Sequence, residues 1–245
     1  MAGNWKMYKT AAQTAAFFEP FRPLVERSTH CEIVICPPFT DLPAAVASAE
    51  GSNIAIGAQN ICWSLQEGAY TGEVCGSMIR SAGCSHVIVG HSERRQYFGE
   101  TNEIVLKKTV AALESGLTPI VCVGETLEHR EGGQTEAVIL NHCKGGTSGL
   151  TAEQFSKILI AYEPVWAIGT GKTATPEIAA DAHRVIRAYA RQAFGAQAAD
   201  RLRILYGGSV KPDNIKKLMA QPEIDGALVG GASLDPISFA SIVNF

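Results

Sequence analysis

The chain of 245 residues is 46% hydrophobic and 18% charged, which is ordinary for a globular protein with a full-sized core. Its formal net charge of -3 excludes the strongly basic surface that is typical of proteins binding nucleic acid or an anionic membrane. It contains no run of the ~18 apolar residues that a membrane span needs and no apolar signal segment after Met1, so neither nucleic acid nor membrane is expected as a partner.

Eight short apolar segments alternate along the chain with longer helical patterns. These segments are rich in Val, Ile and Leu and do not alternate with polar residues, which is typical of parallel strands buried on both faces. The predicted strands are Ala2–Met7, Glu32–Cys36, Ile54–Ala58, His86–Val89, Pro119–Val123, Ile158–Ala161, Arg203–Tyr206 and Ala227–Val229.

Helical patterns occupy much of the sequence between the strands. The first contains Pro20 and Pro23, so we expect that helix to end or kink near them. Thr151 and Thr175 are typical N-cap residues, and the first belongs to a capping-box sequence. The predicted helices are Ala11–Glu26, Asn102–Ser115, a short helix after Thr151, Thr175–Phe194, Pro212–Met219 and Pro236–Asn244.

This alternation predicts the fold class. Eight strand–helix units with right-handed crossovers close most simply into a (β/α)8 barrel. An open doubly wound sheet is the alternative, but the eight strands share the same apolar character and none is a polar edge strand. No linker, repeat or low-complexity segment divides the sequence, so we predict an α/β protein with one domain, residues 1–245.

The seven cysteines are scattered, and none belongs to a Cys-x-x-Cys pair. Neither a zinc site nor a disulfide framework is therefore expected. Reduced thiols are typical of proteins in the cytoplasm, which is the predicted location.

Polar or glycine-rich segments follow most of the predicted strands. In a barrel of this kind the active site lies at the C-terminal ends of the strands, so these segments should meet at one rim. They are Asn4-Trp5-Lys6, Gly90-His91-Ser92-Glu93, Gly124-Glu125, Glu163, Gly207-Gly208-Ser209 and Gly230-Gly231.

Three of these side chains suggest a reaction. Glu163 ends a strand beside a Gly-Thr-Gly loop, as expected of a base next to a closing loop. His91 opens a predicted helix, whose dipole disfavours the imidazolium, so we expect a neutral ring that donates to a carbonyl oxygen. With Lys6 as a nearby cation, the set suits removal of a proton next to a carbonyl group.

The two Gly-Gly pairs suggest a phosphate site. They follow the seventh and eighth strands, where barrels of this kind commonly hold a phosphate on backbone N–H groups and a short helix N-terminus. A phosphate-bearing ligand is therefore expected.

Long motifs of high specificity run through the chain. They are Gly-Asn-Trp-Lys-Met at 3–7, Ala-Gln-Asn at 58–60, Gly-Ala-Tyr-Thr-Gly-Glu at 68–73, Gly-His-Ser-Glu-Arg-Arg at 90–95, Ala-Tyr-Glu-Pro-Val-Trp-Ala-Ile-Gly-Thr-Gly-Lys at 161–172, Tyr-Gly-Gly-Ser-Val at 206–210 and Leu-Val-Gly-Gly-Ala-Ser-Leu at 228–234. On these motifs the chain resembles the triosephosphate isomerase family from Gly3 to its C-terminus.

The resemblance implies interconversion of dihydroxyacetone phosphate and D-glyceraldehyde 3-phosphate, in glycolysis and gluconeogenesis, without a cofactor or metal. It implies Glu163 as the catalytic base, His91 as the electrophile and Lys6 as the substrate-facing cation. A neutral histidine and a closing loop are known features of the family. The other implied site residues are Asn4, Gly169, Ser209, Gly230 and Gly231 for substrate binding, Glu93 as a buried supporting carboxylate, and Cys122 as a second supporting residue.

The resemblance also implies a homodimer with a two-fold axis. The stretch from Gln59 to Gly72 resembles a long loop that such enzymes bury in a neighbouring subunit. Trp63 and Tyr70 suit an interface, and Thr71 would approach the active site of the partner.

The chain departs from the family pattern near its start. Only Met1 and Ala2 precede Gly3, so the first strand is expected to be short, and Tyr8 stands where asparagine is usual. Two alternatives to the isomerase remain open from the sequence: another phosphate-binding barrel enzyme, and a non-catalytic protein of the same fold.

Overall fold

The structure, a computed structural model, describes residues 1–168 and 174–245. Its eight strands are parallel and form one closed barrel, in which each strand pairs with the next and β8 pairs with β1. The strands are β1 (Ala2–Asn4), β2 (Ile33–Cys36), β3 (Ile54–Ala58), β4 (His86–Val89), β5 (Thr118–Val123), β6 (Leu159–Tyr162), β7 (Arg203–Tyr206) and β8 (Gly226–Val229). The predicted (β/α)8 barrel is confirmed.

Helices connect the strands within the described ranges. The α-helices are α1 (Ala11–Val25), α2 (Leu42–Ala49), α3 (Gly76–Ser81), α4 (Ser92–Phe98), α5 (Asn102–Glu114), α6 (Leu127–Glu131), α7 (Thr135–Thr147), α8 (Ala152–Phe155), α9 (Pro176–Phe194), α10 (Ala196–Arg201), α11 (Ile215–Met219) and α12 (Pro236–Val243). Among the described residues, three 3-10 helices cover Phe39–Asp41, Val165–Ala167 and Gly231–Leu234. In the part of the chain that the structure describes, no helix combines the length and apolar character needed to cross a membrane.

The barrel has two apolar layers. Alternate strand residues such as Val34 and Cys36 fill its interior, while Ile33 and Ile35 pack outward against the helices. This explains why the strand sequences are continuously apolar: each face of each strand is buried. Since the interior is filled, open space for a ligand lies at the rim rather than along the barrel axis.

The first strand ends at Asn4 rather than at the predicted Met7. The reason is the backbone of Lys6, whose φ of 52° is incompatible with an extended strand. Between them, Trp5 is fully buried, and its indole N–H donates to the carbonyl oxygen of Ser233 at 2.9 Å. The chain therefore turns at the barrel rim with Lys6 in the turn.

The helix α1 continues through Pro20 and Pro23 and ends at Val25, shortly after Pro23 and one residue before the predicted end at Glu26. Pro20 and Pro23 lie on its exposed side, while Phe17 and Phe21 are buried on the other. An internal proline costs about 3 kcal/mol, but each fully buried large apolar side chain contributes about 1.5–3 kcal/mol. Aromatic packing of Phe21 against Phe239 thus holds the helix together.

One further helix begins later than predicted, and several helices were not predicted at all. Residues 212–214 form a turn, and α11 begins only at Ile215; within this turn the side chain of Asn214 accepts a hydrogen bond from the N–H of Lys211. The predicted caps Thr151 and Thr175 are confirmed, since both accept from the N–H three residues ahead. The helices that the sequence did not predict are α2, α3, α6, α7 and α10.

Candidate active site

A cavity of about 680 Å³ opens at the C-terminal ends of the strands. Residues from the tips of β1, β4, β6, β7 and β8 line it, although they are remote from one another in sequence. The predicted site residues among them are Asn4, Lys6, His91, Glu163, Ser209, Gly230 and Gly231. The structure therefore brings these groups together around one space.

Glu163 follows β6 and is 2% exposed. Its Oε2 accepts from the N–H of Ser92 at 2.9 Å, and its Oε1 accepts from the Ser92 hydroxyl at 3.0 Å. The Nε2 of His91 lies 2.9 Å from the same Oε1. Burial alone would raise the pKa of Glu163, but His91 and the hydrogen bonds from Ser92 outweigh burial and lower it. The carboxylate is thus ionised at neutral pH.

His91 is the N-cap of α4. Its Nδ1 accepts from the N–H of Glu93 at 3.3 Å, which leaves the proton of a neutral ring on Nε2, facing Glu163. Burial lowers the pKa of His91, but the charge of Glu163 and its hydrogen bond outweigh burial and raise it. The expected downward shift from the helix dipole is therefore wrong in direction while Glu163 lies in this position.

Lys6 occupies the turn after β1. Its N–H donates to the side-chain oxygen of Asn4 at 3.0 Å, and its Nζ donates to Oε1 of Glu93 at 2.6 Å. The side chain of Glu93 is 39% exposed, so the expectation of a buried carboxylate is wrong. The cause is its place in the first turn of α4, where it reaches sideways to Lys6 rather than into the protein.

The glycine-rich tips of β7 and β8 border the cavity beside Lys6. A Cβ at Gly231 would meet no atom within 4 Å, and one at Gly230 would lie 3.6 Å from Cε of Lys6. Gly231 also begins a 3-10 helix, and Ser209 lies on the adjacent tip. Backbone N–H groups at such a helix start suit an anion. The fifth predicted binding residue, Gly169, lies outside the described residues.

Cys122 lies in the barrel interior beneath the rim and does not line this cavity. It is fully buried, and burial together with the charge of Glu163 raises the pKa of its thiol well above the usual value. Its thiol donates to the carbonyl oxygen of Ile120 at 4.0 Å. The charge of Glu163 acts on Cys122, which therefore stays a neutral S–H group.

Sequence reasoning placed two further residues at the rim without assigning them a role in the site. One is Ser92, which supplies two hydrogen bonds to Glu163. The other is Glu125, which is fully buried and whose Oε1 accepts from the hydroxyl of Tyr162 at 3.0 Å and from Nε1 of Trp166 at 2.8 Å. The available signal was the position of Glu125 after β5, next to the strand that carries Glu163.

The predicted dimer loop begins at Gln59, whose amide donates to the carbonyl oxygens of Lys6 and Cys36, both at 2.8 Å. Farther along the loop, Trp63 and Tyr70 form an edge-to-face pair with ring centroids 5.2 Å apart. Both rings are more than two-fifths exposed, and Thr71 beside them is exposed. The loop therefore joins an exposed aromatic surface to the main chain of Lys6.

Comparison with known proteins agrees with this geometry. The family model for triosephosphate isomerase matches residues 1–245. A triosephosphate isomerase from Solibacter usitatus (strain Ellin6076) is 71% identical over all of this chain and 98% of that protein. One from Citrifermentans bemidjiense is 56% identical over all of this chain and 97% of that protein.

A solved structure gives the same result in three dimensions. The crystal structure of triosephosphate isomerase from Bartonella henselae superposes with a TM-score of 0.89 at 40% identity. The match covers 100% of this chain and 97% of that one. The chain belongs to the triosephosphate isomerase family.

Proposed function

We propose that Glu163 is the catalytic base with which this isomerase interconverts dihydroxyacetone phosphate and D-glyceraldehyde 3-phosphate. The observation that supports this most directly is that Glu163, His91 and Lys6 line the same cavity as Gly230 and Gly231. A carboxylate with a lowered pKa can accept a proton, while an N–H and an ammonium can stabilise charge on oxygen.

The proposed reaction conserves every atom. The Glu163 carboxylate removes a proton from C1 of dihydroxyacetone phosphate, and the electron pair moves to the C2 oxygen to give an enediolate. The N–H of His91 and the ammonium of Lys6 stabilise that oxygen. His91 then moves a proton from the C1 oxygen to the C2 oxygen, and Glu163 returns its proton to C2, which gives the aldehyde product.

The charge state of His91 in this reaction depends on Glu163. Their contact raises the pKa of His91 above its usual value, although burial alone would lower it. When the carboxylate moves to the substrate C–H group, that contribution falls, and burial, the largest influence on His91, lowers its pKa against the remaining charge of Glu93. The N–H of Glu93 already binds Nδ1. The ring that polarises the carbonyl is therefore neutral in the proposed mechanism.

Substrate phosphate is proposed to bind at the start of the 3-10 helix that begins at Gly231. Gly230 and Ser209 line the same end of the cavity, and Lys6 lies close to Gly230. Backbone N–H groups and an ammonium together neutralise much of a phosphate dianion. Asn4 supports the turn that carries Lys6. Gly169 stays a proposed phosphate ligand on the family pattern alone.

Proton exchange tests the base assignment. Incubation of the protein with dihydroxyacetone phosphate in deuterated water should place deuterium at C1 of recovered substrate and at C2 of product, measured by NMR. Glu163→Gln should abolish both, because an amide cannot accept the proton. Undiminished exchange by Glu163→Gln would assign the base elsewhere, and no exchange by the wild-type chain would contradict the isomerase activity itself.

We also propose that residues 1–245 form one domain and that the protein is a cytoplasmic homodimer. The exposed Trp63 and Tyr70 support a protein interface, because aromatic residues are enriched in interface cores. The seven cysteines are all free thiols, which is typical of a reducing compartment. Thr71 lies in the same exposed loop and is proposed to approach the active site of a second copy.

A further inference from the structure

Beyond the paired residues of β4 and β5, side chains rather than a neighbouring strand provide the hydrogen-bond partners of the backbone. Their register runs to Val89 opposite Val121. Beyond it, the carbonyl oxygen of Gly90 accepts from Nε of Arg95 at 2.9 Å. The N–H of Gly124 donates to Nδ1 of His142 at 3.3 Å. The backbone N–H of Gly124 thus has the imidazole of His142, on α7, as its hydrogen-bond acceptor.

Gly124 lies directly against the main chain of Glu163. A Cβ at Gly124 would come 1.7 Å from the carbonyl oxygen of Glu163, so no larger residue fits without moving it. On either side, the N–H of Glu163 donates to Val123 at 2.7 Å, and the N–H of Val165 donates to Glu125 at 3.1 Å. The segment 123–125 is therefore the support on which the backbone of the base rests.

The surroundings of His142 suit a neutral ring that accepts through Nδ1. Burial and the positive charge of Arg95 lower the pKa of His142 to about 4. An unprotonated Nδ1 has the lone pair that the N–H of Gly124 requires. His142 lines a second cavity of about 830 Å³, which Glu163 also lines and Lys6 does not. It thus touches the support of the base without reaching the substrate cavity.

We propose that His142 is a positioning residue for the isomerase: its Nδ1 holds Gly124, and Gly124 holds the main chain of Glu163 at the substrate. The inference rests on the proposed role of Glu163 as the base. A shift of about 1 Å in a reacting group can cost about 100-fold in rate, so loss of this support should lower kcat. Substrate affinity should change little, because Lys6 and the glycine-rich tips line the substrate cavity, which His142 does not line.

Two substitutions separate positioning from general stability. In His142→Asn, the amide oxygen replaces Nδ1 as the acceptor, whereas His142→Leu keeps the bulk and removes the acceptor. In a coupled isomerase assay, His142→Leu should lose about 10- to 100-fold in kcat with KM within about twofold. His142→Asn should keep kcat within about threefold of the wild type. Gly124→Ala, which moves Glu163 directly, should lose at least as much as His142→Leu.

The proposal is overturned if His142→Leu keeps its turnover, if both His142 variants lose kcat equally, or if the loss appears in KM alone. Nitrogen-15 NMR of the wild-type chain tests it without any variant. At neutral pH the His142 ring should carry its proton on Nε2, with Nδ1 unprotonated, and a protonated Nδ1 would contradict the proposal. These outcomes can be told apart from a wrong assignment of the base, because a wrong assignment would appear as persistent deuterium exchange by Glu163→Gln.

Discussion

Nε2 of His91 lies 2.9 Å from Oε1 of Glu163 at the rim of the barrel. Burial opposes charge on both groups, yet their attraction outweighs it, so the pKa of Glu163 is lowered and the pKa of His91 is raised. The two groups therefore titrate as a pair. In the proposed mechanism, a substrate carbonyl takes over the His91 N–H as the carboxylate turns to the C–H group, so substrate binding itself frees the base.

Removal of the ammonium at position 6 should impair catalysis strongly. In Lys6→Met the side chain keeps its length but no longer stabilises the enediolate, and kcat/KM should fall about 100-fold or more in the coupled assay. Glu93→Gln is the matched control, because it weakens the 2.6 Å contact to Lys6 but leaves the cation in place. Its loss should be much smaller. Equal losses from the two variants would contradict a direct role for Lys6.

The proposed homodimer should depend on the exposed aromatic loop. Trp63→Asp places a charge in the proposed interface, where its desolvation is unfavourable, so the variant should sediment as a monomer at micromolar concentration. Ile237→Asp is the control, since Ile237 is 57% exposed on α12 and belongs to no part of that loop. A wild-type chain that sediments as a monomer, or a Trp63→Asp variant that stays dimeric, would refute the proposed interface.

His183 should make the protein less stable in mild acid. Burial lowers its folded-state pKa from 6.5 to about 4, so between these values the unfolded chain binds a proton that the folded chain does not. The free energy of unfolding should therefore fall as the pH falls through this window, by up to about 1.4 kcal/mol per pH unit from this group.

Urea denaturation at a series of pH values measures this slope. His183→Asn should have a shallower dependence between pH 6.5 and 4 than the wild type, because the titrating group is gone. The slope that remains should come from the other groups whose folded-state pKa is lowered, among them His142 at about 4, His86 and the buried carboxylate Glu100. Identical slopes in the variant and the wild type would show that His183 binds protons equally in both states.

The hydrogen bond from Trp166 to Glu125 should stabilise the fold measurably. Trp166→Phe removes the N–H that donates to Oε1 at 2.8 Å and leaves a fully buried carboxylate less satisfied. The expected cost is about 1–3 kcal/mol, measured by urea unfolding. An unchanged unfolding midpoint would mean that Glu125 gains a replacement donor in the variant.

Sequence patterns predicted the barrel because every strand is apolar on both faces and glycine or proline residues mark many strand ends. The predicted helix Ala11–Glu26 agrees with α1 to within one residue, since tertiary packing offsets the local cost of Pro20 and Pro23. Sequence patterns missed α7, where Gly145 and Gly146 weaken the helical pattern although Ile139 and Cys143 are buried on its inner face.

The site was predictable as far as topology brings strand ends together, which places Lys6, His91 and Glu163 at one rim. The direction of the His91 pKa shift was not predictable, because it depends on a 2.9 Å contact between side chains remote in sequence. His142 could not be identified either, since its bond to Gly124 depends on how α7 packs against β5. Such contacts leave no periodic signal in the sequence.

Turnover of Glu163→Asp in the coupled isomerase assay tests the central claim, that Glu163 is the base, most directly. The aspartate keeps the charge but withdraws the carboxylate by one methylene group, so kcat should fall about 100-fold or more while KM changes much less. A kcat close to that of the wild type would contradict the assignment of Glu163 as the group that removes the proton.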